Sequence, residues 1–516
     1  MNNYNKLFLI ILLLLCFVEE TYSGTTGKIS GVVTDKSTGK PLPGVNIIVM
    51  DTQLGAATNL QGEYYIIQVP PGNYTLKATM MGYATAITKN VQVRVDLTAA
   101  INFQLSESAI EGEEVIITAK RPLIQKDLTT SKRSTSKEEM QFIPNAENAM
   151  DVVSLMPGTI VSATDQVLDV GGGHTLKAQD ENVKNIHIRG GGGGEVLFQI
   201  DGMPVNHPIF GGHGVLDIDI KAVEEIEVLT GGFNAEYGEA QSGVINIVTR
   251  EGSDIYSTNL AIKTDMIGSQ KNEEGSQYGS FYFEGPELLT SKLLPAIGLK
   301  LPSKTTMFLS GSFKRTDTQF NNYRTRATNN IWGLFNINEK QNNEYTFNAK
   351  IIHKFSDNHK LSLNYQRNDS WWSNFNWGAK NIPDSLGNAK STNDYAVMSF
   401  THTLSPNTFY TFNLSYLQVK YFASLNGMSP QDFWYWVYDE TSDTYKYVGA
   451  NFFVDVDHDG FTDIGLGNDY RNDLSKVLTA KFDITSQVTK TNMVKAGFEF
   501  QHKNLAYRNI QQGGWY

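Results

Sequence analysis

The residues best suited to chemistry are acidic and stand late in the chain. Asp455, Asp457, Asp459 and Asp463 occur in the run Asp-Val-Asp-His-Asp-Gly-Phe-Thr-Asp. Side-chain oxygens at the first, third, fifth and ninth positions, with a turn glycine at the sixth, suit a calcium loop. Leu466 holds the twelfth position, where an EF-hand has a bidentate glutamate, so an acidic turn is the competing reading. His207, His213 and Asp217 offer a second set of metal-ligand types, at a spacing that chance supplies readily. The glycines from Gly190 to Gly194 resemble a phosphate loop in composition, but no Gly-Lys-Ser/Thr follows them and no helix opens there. None of the nine histidines has glutamate three residues on, which removes the H-x-x-E and H-E-x-x-H zinc spacings. Cys16 is the one cysteine, so thiolate chemistry is confined to the N-terminal segment that holds it. No catalytic constellation emerges and no cofactor is required; a structural calcium ion is the single candidate. The chain is not expected to be an enzyme.

What remains is binding chemistry, and the elements around it set its context. Residues 1–23 read as a Sec-type secretory signal: Lys6 gives the positive flank, Leu7 to Val18 the apolar core, and Thr21-Tyr22-Ser23 a small-residue cleavage pattern. From Gly27 short apolar runs alternate with turn chemistry, as in Pro41-Leu42-Pro43-Gly44-Val45 and Pro70-Pro71-Gly72-Asn73-Tyr74. About seven short strands at this spacing predict an immunoglobulin-like β-sandwich over residues 24–105. The pattern resembles the carboxypeptidase-regulatory-like domain, a resemblance that implies no peptidase activity. A charged link follows over 106–135, and inside it Glu113-Glu114-Val115-Ile116-Ile117-Thr118-Ala119 is a lone β-prone segment. By itself this is a short strand or a sticky linker.

Residues 136–250 are unusual in glycine. Seventeen of the 45 glycines fall between Gly158 and Arg250, a density that suits a compact domain of tight turns. Ser136-Lys137-Glu138-Glu139 has capping-box spacing, and a second helix is expected over about 146–155. Four ordered segments follow: Ile186-His187-Ile188-Arg189-Gly190, the run from Val196 to Asn206 with its Asp201-Gly202 turn, the run from Val223 to Gly232, and Tyr237 to Arg250. Their apolar positions predict a small mixed sheet. Glu224, Glu225 and Glu227 place charge beside it, as expected for a sheet inside a hydrated pore.

Together these segments resemble the plug domain of TonB-dependent outer-membrane receptors. The resemblance implies that the strand from Glu113 to Ala119 is the TonB-docking box, gripped by strand addition to the partner's sheet edge. It implies that Arg189 makes a plug–barrel ion pair, the competing reading being a surface arginine. It also implies that Asn206, His207, Phe210 and His213 form an apical loop facing incoming ligand.

After Arg250 the pattern has period two. Phe347, Ala349 and Ile351 alternate with Asn348 and Lys350, and Leu478, Ala480 and Phe482 with Thr479 and Lys481. Tight turns such as Ser356-Asp357-Asn358-His359 alternate with long connections, read as outer loops over 317–343, 370–395 and 421–476. Lipid outside and water inside demand such alternation. Trp371, Trp372, Trp377, Trp434 and Trp436 fall in or beside these loops, as loop core, interfacial girdle or ligand stackers.

The expected fold is therefore mainly β: an N-terminal sandwich, an α+β plug, and the first nine or so strands of an incomplete transmembrane antiparallel barrel over 251–516. The resemblance implies about twenty-two strands, so the 516 residues are read as the N-terminal part of a longer receptor. The expected location is the bacterial outer membrane. The expected partners are TonB with its inner-membrane energising complex, outer-membrane lipid, and an extracellular ligand of siderophore, cobalamin, glycan or peptide type. A surface lipoprotein lid is disfavoured, because Gly231-Gly232-Phe233-Asn234-Ala235 lacks the alanine-rich form associated with lidded glycan receptors. A net charge of −11, from 43 basic and 54 acidic residues, argues against nucleic acid. The rival function is a non-transporting surface adhesin or structural outer-membrane protein.

Overall fold

The computed structural model describes residues 26–510 apart from short stretches, the longest of which are 119–130, 265–275 and 318–327. The signal segment lies outside the described residues.

The N-terminal unit is a sandwich of two sheets. In one, Gly27–Asp35 lies between Glu63–Val69 and Thr98–Ala100, with Phe103–Leu105 pairing further along it. The other has the order Gly55–Ala57, Asn46–Val49, Gly72–Thr79, Thr85–Val93, Glu114–Thr118. Strand alternation sends Ile29, Val33, Ile47 and Val49 inward onto Tyr64, Leu76 and Phe103. Burial of side chains this size is worth ~1.5–3 kcal/mol each, so the sandwich has a core of its own. Gly31 is needed where the chain crosses Ile101, since a Cβ there would lie 1.7 Å from the Ile101 carbonyl oxygen.

The last strand of the second sheet corrects the expected boundary. Glu114–Thr118, read as part of a tether, runs parallel to Thr85–Val93 with Thr85 opposite Glu114 and Lys89 opposite Thr118. An edge strand offers unpaired N–H and C=O groups to any β-prone segment that reaches it. The nearest such edge belongs to the sandwich itself, which therefore extends to residue 118 rather than 105.

The plug is a five-stranded mixed sheet in the order Lys132–Ser136, Val223–Leu229, Gly243–Thr249, Val196–Ile200, Met203–Pro204. Its first strand starts inside the expected linker and has no apolar residue. As an edge strand it is held through its backbone, which leaves no periodic signal. Two short helices cover the sheet. Lys137–Met140 starts where the Glu139 carboxylate accepts the Ser136 N–H at 3.1 Å. Ala149–Ser154 starts later than expected because Asn148 is its cap, accepting the Asp151 N–H at 2.9 Å.

The remainder is built on one antiparallel sheet, with short two-stranded pairs in its long connections. The sheet's nine strands match the expected nine in order: Ser257–Thr264, Gln277–Pro286, Lys304–Thr316, Asn342–Ser356, His359–Ser373, Asn388–Ser405, Thr408–Ser424, Tyr470–Gln487 and Met493–Ile510. Among the described residues it is open, the first and last strands forming its edges. Several strands run further into the long connections than expected, leaving 374–387 and 425–469 between strands. Their upper ends are polar, as in Asn388-Ala389-Lys390-Ser391-Thr392, so the apolar alternation stops before the hydrogen bonding does.

The sheet is inside out relative to a water-soluble fold. Met307, Ile351, Leu363, Met398, Leu414, Ala480 and Phe500 stand directly opposite one another on successive strands, forming one apolar row on the outward face. One residue along, Lys350, Asn364, Val397, Ser415, Thr479 and Gln501 form the inward row, and Lys350, Asn364, Ser415 and Thr479 are buried there. Leu478, Phe498 and Phe500 are exposed on the other side. Apolar exposure on this scale marks a lipid-facing wall, with polar groups turned to the inner side.

Candidate functional site

The plug packs against the inward face of this wall. Tyr395, Val397, Leu417, Val419 and Val477 of the wall join Ile200, Met203, Val205 and Val215 of the plug in one apolar cluster. Polar contacts ring it: Tyr395 donates to the Ile200 carbonyl at 3.2 Å, Asn393 to the Val215 carbonyl at 2.7 Å, and Asn368 to the Asp217 carbonyl at 3.1 Å.

Ion pairs join plug to wall at several places, none of them anticipated. Glu147 meets Lys263 and Lys314, Glu236 meets Lys495 and Glu239 meets Lys503, and three more gather at the end of the plug's sheet. Asp201, held at a φ of 51° in its turn, accepts from the Thr249 N–H at 2.9 Å and the Thr249 hydroxyl at 2.7 Å. Across the interface it meets Lys350 at 3.0 Å and Asn364 at 2.9 Å. Arg250 donates to both carboxylate oxygens of Glu284 at 2.8 Å, its guanidinium lying 4.5 Å from the centre of the Tyr282 ring. Glu251 pairs with Lys360 at 2.6 Å. Burial opposes the charge on Glu251, but Lys360 and Lys350 together hold its carboxyl below the usual range. Beside these pairs lies a polar cavity of about 70 Å³, lined among others by Asp201, Asn246, Lys350, Asn364 and Lys481. It has room for a few water molecules.

Arg189, for which the resemblance implies such a pair, is exposed and makes no ion pair among the described residues. Its Nη1 lies beside Gly231. The apical loop also differs from expectation. Asn206 is half-buried, its side chain accepting the Phe198 N–H and donating to the Val196 carbonyl, both at 2.8 Å. His207 is buried, with Nδ1 accepting the N–H groups of Ile209 and Phe210 at 3.2 Å. Phe210 is buried against the wall, its ring 5.3 Å from the Arg471 guanidinium and 6.3 Å from Tyr507. These groups shape the loop and seat it rather than open to ligand. His213 lies outside the described residues, as do Asp455, Asp459 and Asp463; Asp457 is exposed. The strands Phe452–Val454 and Ile464–Leu466, which precede and follow the acidic run in sequence, pair. Among the described residues no group of three or more His, Cys, Asp or Glu side chains is placed to hold a metal ion.

The sandwich sits at the end of the wall with the short turns, where Lys28 donates to Gln487 at 2.7 Å and Thr403 to Gln68 at 2.9 Å. The residues just after its Thr85–Val93 strand grip the plug. Arg94 donates to the Ser134 carbonyl at 3.2 Å and pairs with Glu139 at 3.6 Å. The Val95 N–H donates to Glu225 at 3.2 Å, Lys132 donates to the Val95 carbonyl at 2.6 Å, and Lys132 pairs with Glu227. Glu225 and Glu227, expected to face water, are therefore buried beneath the sandwich. Burial, with the Glu227 carboxylate beside it, pushes the Glu225 carboxyl up to about 8 against the pull of Lys132.

Two family models match the chain: the CarboxypepD_reg-like domain over residues 29–117 and the TonB-dependent Receptor Plug Domain over 124–245. The chain carries a TonB-dependent receptor plug. The first model ends within the Glu114–Thr118 strand, in line with the extended sandwich. Curated relatives of this chain include the TonB-dependent transporter Oar of Myxococcus xanthus, 30% identical over 44% of this chain and 20% of that protein. The ferric enterobactin receptor PirA of Pseudomonas aeruginosa is 28% identical over 35% of this chain and 24% of its own. The vitamin B12 transporter BtuB of Vibrio vulnificus is 29% identical over 30% of this chain and 23% of its own. Each match spans under a quarter of the relative's length. Among solved structures, the outer membrane transporter YddB from Escherichia coli aligns with a TM-score of 0.46 at 13% identity, over 72% of this chain and 48% of that one. TonB-dependent receptors are outer-membrane receptors and transporters of Gram-negative bacteria, and they are not enzymes.

Proposed function

We propose that this chain supplies the docking strand, sandwich, plug and first wall of a receptor that takes up a scarce extracellular ligand at the expense of TonB-delivered energy. The observation that carries the reading is a plug held by buried, breakable ion pairs inside a wall that is apolar outside and polar within. TonB grips the strand from Glu113 to Ala119 by strand addition, and the ligand is of siderophore, cobalamin, glycan or peptide type. A calcium ion held by the Asp455, Asp457, Asp459 and Asp463 run is part of this proposal.

The pairing of Glu114–Thr118 with Thr85–Val93 adds a step. The docking strand rests on the sandwich, so TonB captures it by exchanging one strand edge for another. The same Thr85–Val93 strand leads into Arg94 and Val95, which hold the plug's edge strand. Tension on the docking segment therefore reaches the plug through the sandwich.

Deleting residues 113–119 from the full-length receptor tests the reading. Uptake is lost while surface binding of ligand persists. Undiminished uptake refutes it, and is the outcome for an adhesin or structural protein.

A further inference from the structure

The outward face changes character toward the long-loop end. Lys390, Lys420 and Lys476 are exposed on three neighbouring strands. Lys390 stands opposite Phe422 and Lys420 opposite Thr392, so the two are one diagonal step apart. Lys420 stands opposite Leu474 and Lys476 opposite Gln418, which makes a second such step. All three share the face of Met398, Leu414 and Ala480, because each is an even number of residues from the apolar row. None makes an ion pair among the described residues. The outward carboxylates nearby, Asp369 and Asp394, are engaged by Arg367 at 2.7 and 3.3 Å.

Diagonal neighbours in a sheet are about 7–8 Å apart, close enough for three ammonium groups to converge on one multivalent anion and to repel each other without it. Height along the wall identifies that anion. Leu414 is central in the outward run Phe412, Leu414, Tyr416, and Lys420 lies six residues beyond it. Six residues span roughly 20 Å along a strand, or about 15 Å along the membrane normal at a tilt of about 40°. Half of an apolar band about 25 Å tall is less than that, which puts Lys420, and Lys390 eight residues from Met398, at headgroup level. Lys476, four residues from Ala480, stands at the band's upper edge, from which a lysine stem reaches the headgroups.

We propose that Lys390, Lys420 and Lys476 form a docking site for the phosphate-bearing headgroup of an anionic membrane lipid, whose acyl chains lie along the Met398–Leu414–Ala480 row. This rests on the lipid-facing reading of the outward wall. The test uses the full-length receptor, purified in detergent and equilibrated with equal amounts of phosphatidylglycerol and phosphatidylcholine; retained lipid is quantified by mass spectrometry. Wild type retains the anionic lipid several-fold over the zwitterionic one. The K390Q/K420Q/K476Q variant retains the two equally, the corresponding triple arginine variant restores the preference, and millimolar inorganic phosphate leaves it unchanged. An unchanged preference in the glutamine variant overturns the proposal, and displacement by free phosphate replaces it with a plain ion site. Retention of neither lipid by any form overturns the lipid-facing reading itself, and the proposal with it.

Discussion

The Asp201 carboxylate of the plug lies 3.0 Å from the Lys350 ammonium of the wall, with both side chains buried. Each is the other's counter-charge. Asp201 also takes two hydrogen bonds from Thr249 of its own sheet, so the pair ties the plug's central strand to the wall.

Removing one member of such a pair leaves an uncompensated buried charge, which costs about 3–5 kcal/mol. Lys350→Met is expected to destabilise plug seating by that amount. The double variant Asp201→Asn/Lys350→Met recovers much of the loss, because no buried charge is then orphaned. Urea unfolding of the four forms in detergent, read as a double-mutant cycle, checks this.

Glu225 makes the grip of sandwich on plug dependent on pH. Its carboxyl is raised from an ordinary value of about 4.5 to about 8. A raised value means that the seated form binds the proton more tightly, so the contribution is fully present below about pH 4.5 and is lost as pH rises through about 8. Proteolytic release of the sandwich should therefore accelerate between neutral and mildly alkaline pH. Glu225→Gln should flatten that dependence.

Gly31→Ala places a methyl group against the Ile101 carbonyl, at a separation of 1.7 Å that the backbone must relieve. Overpacking of this kind costs about 1–3 kcal/mol or more. The sandwich is expected to unfold earlier in a thermal scan while the wall transition stays in place, since the two have separate cores.

The wall was legible because lipid imposes a strict rule: Leu363, Met398 and Leu414 on one face and Asn364, Val397 and Ser415 on the other follow from period two alone. The plug was legible from four segments whose order is distinctive. Less visible were elements held by backbone or by partners distant in the chain. The Lys132–Ser136 strand has no apolar residue, and Asp201 and Lys350 are 149 residues apart, so nothing local marks them as a pair. Asp201-Gly202 announced a turn and concealed a lock. His207 and Phe210 looked like ligand contacts because histidine and aromatic residues amid glycines suit a binding loop, but packing His207 on Phe210, and Phe210 against Arg471 and Tyr507, uses the same chemistry.

The role of the Glu114–Thr118 strand is tested most directly by locking it to its neighbour. Lys89 and Thr118 are register partners, and adjacent strands lie about 4.8 Å apart, within the roughly 4.4–6.8 Å that a disulfide spans between Cα atoms. Beyond Cys16 of the signal segment the sequence has no cysteine, so Lys89→Cys with Thr118→Cys forms a defined bridge in the full-length receptor. Uptake of bound ligand by cells carrying this variant is measured before and after reduction. The oxidised receptor should bind ligand without taking it up, and reduction should restore uptake. Equal uptake in both states, with the cross-link verified, would contradict release of this strand as the energised step.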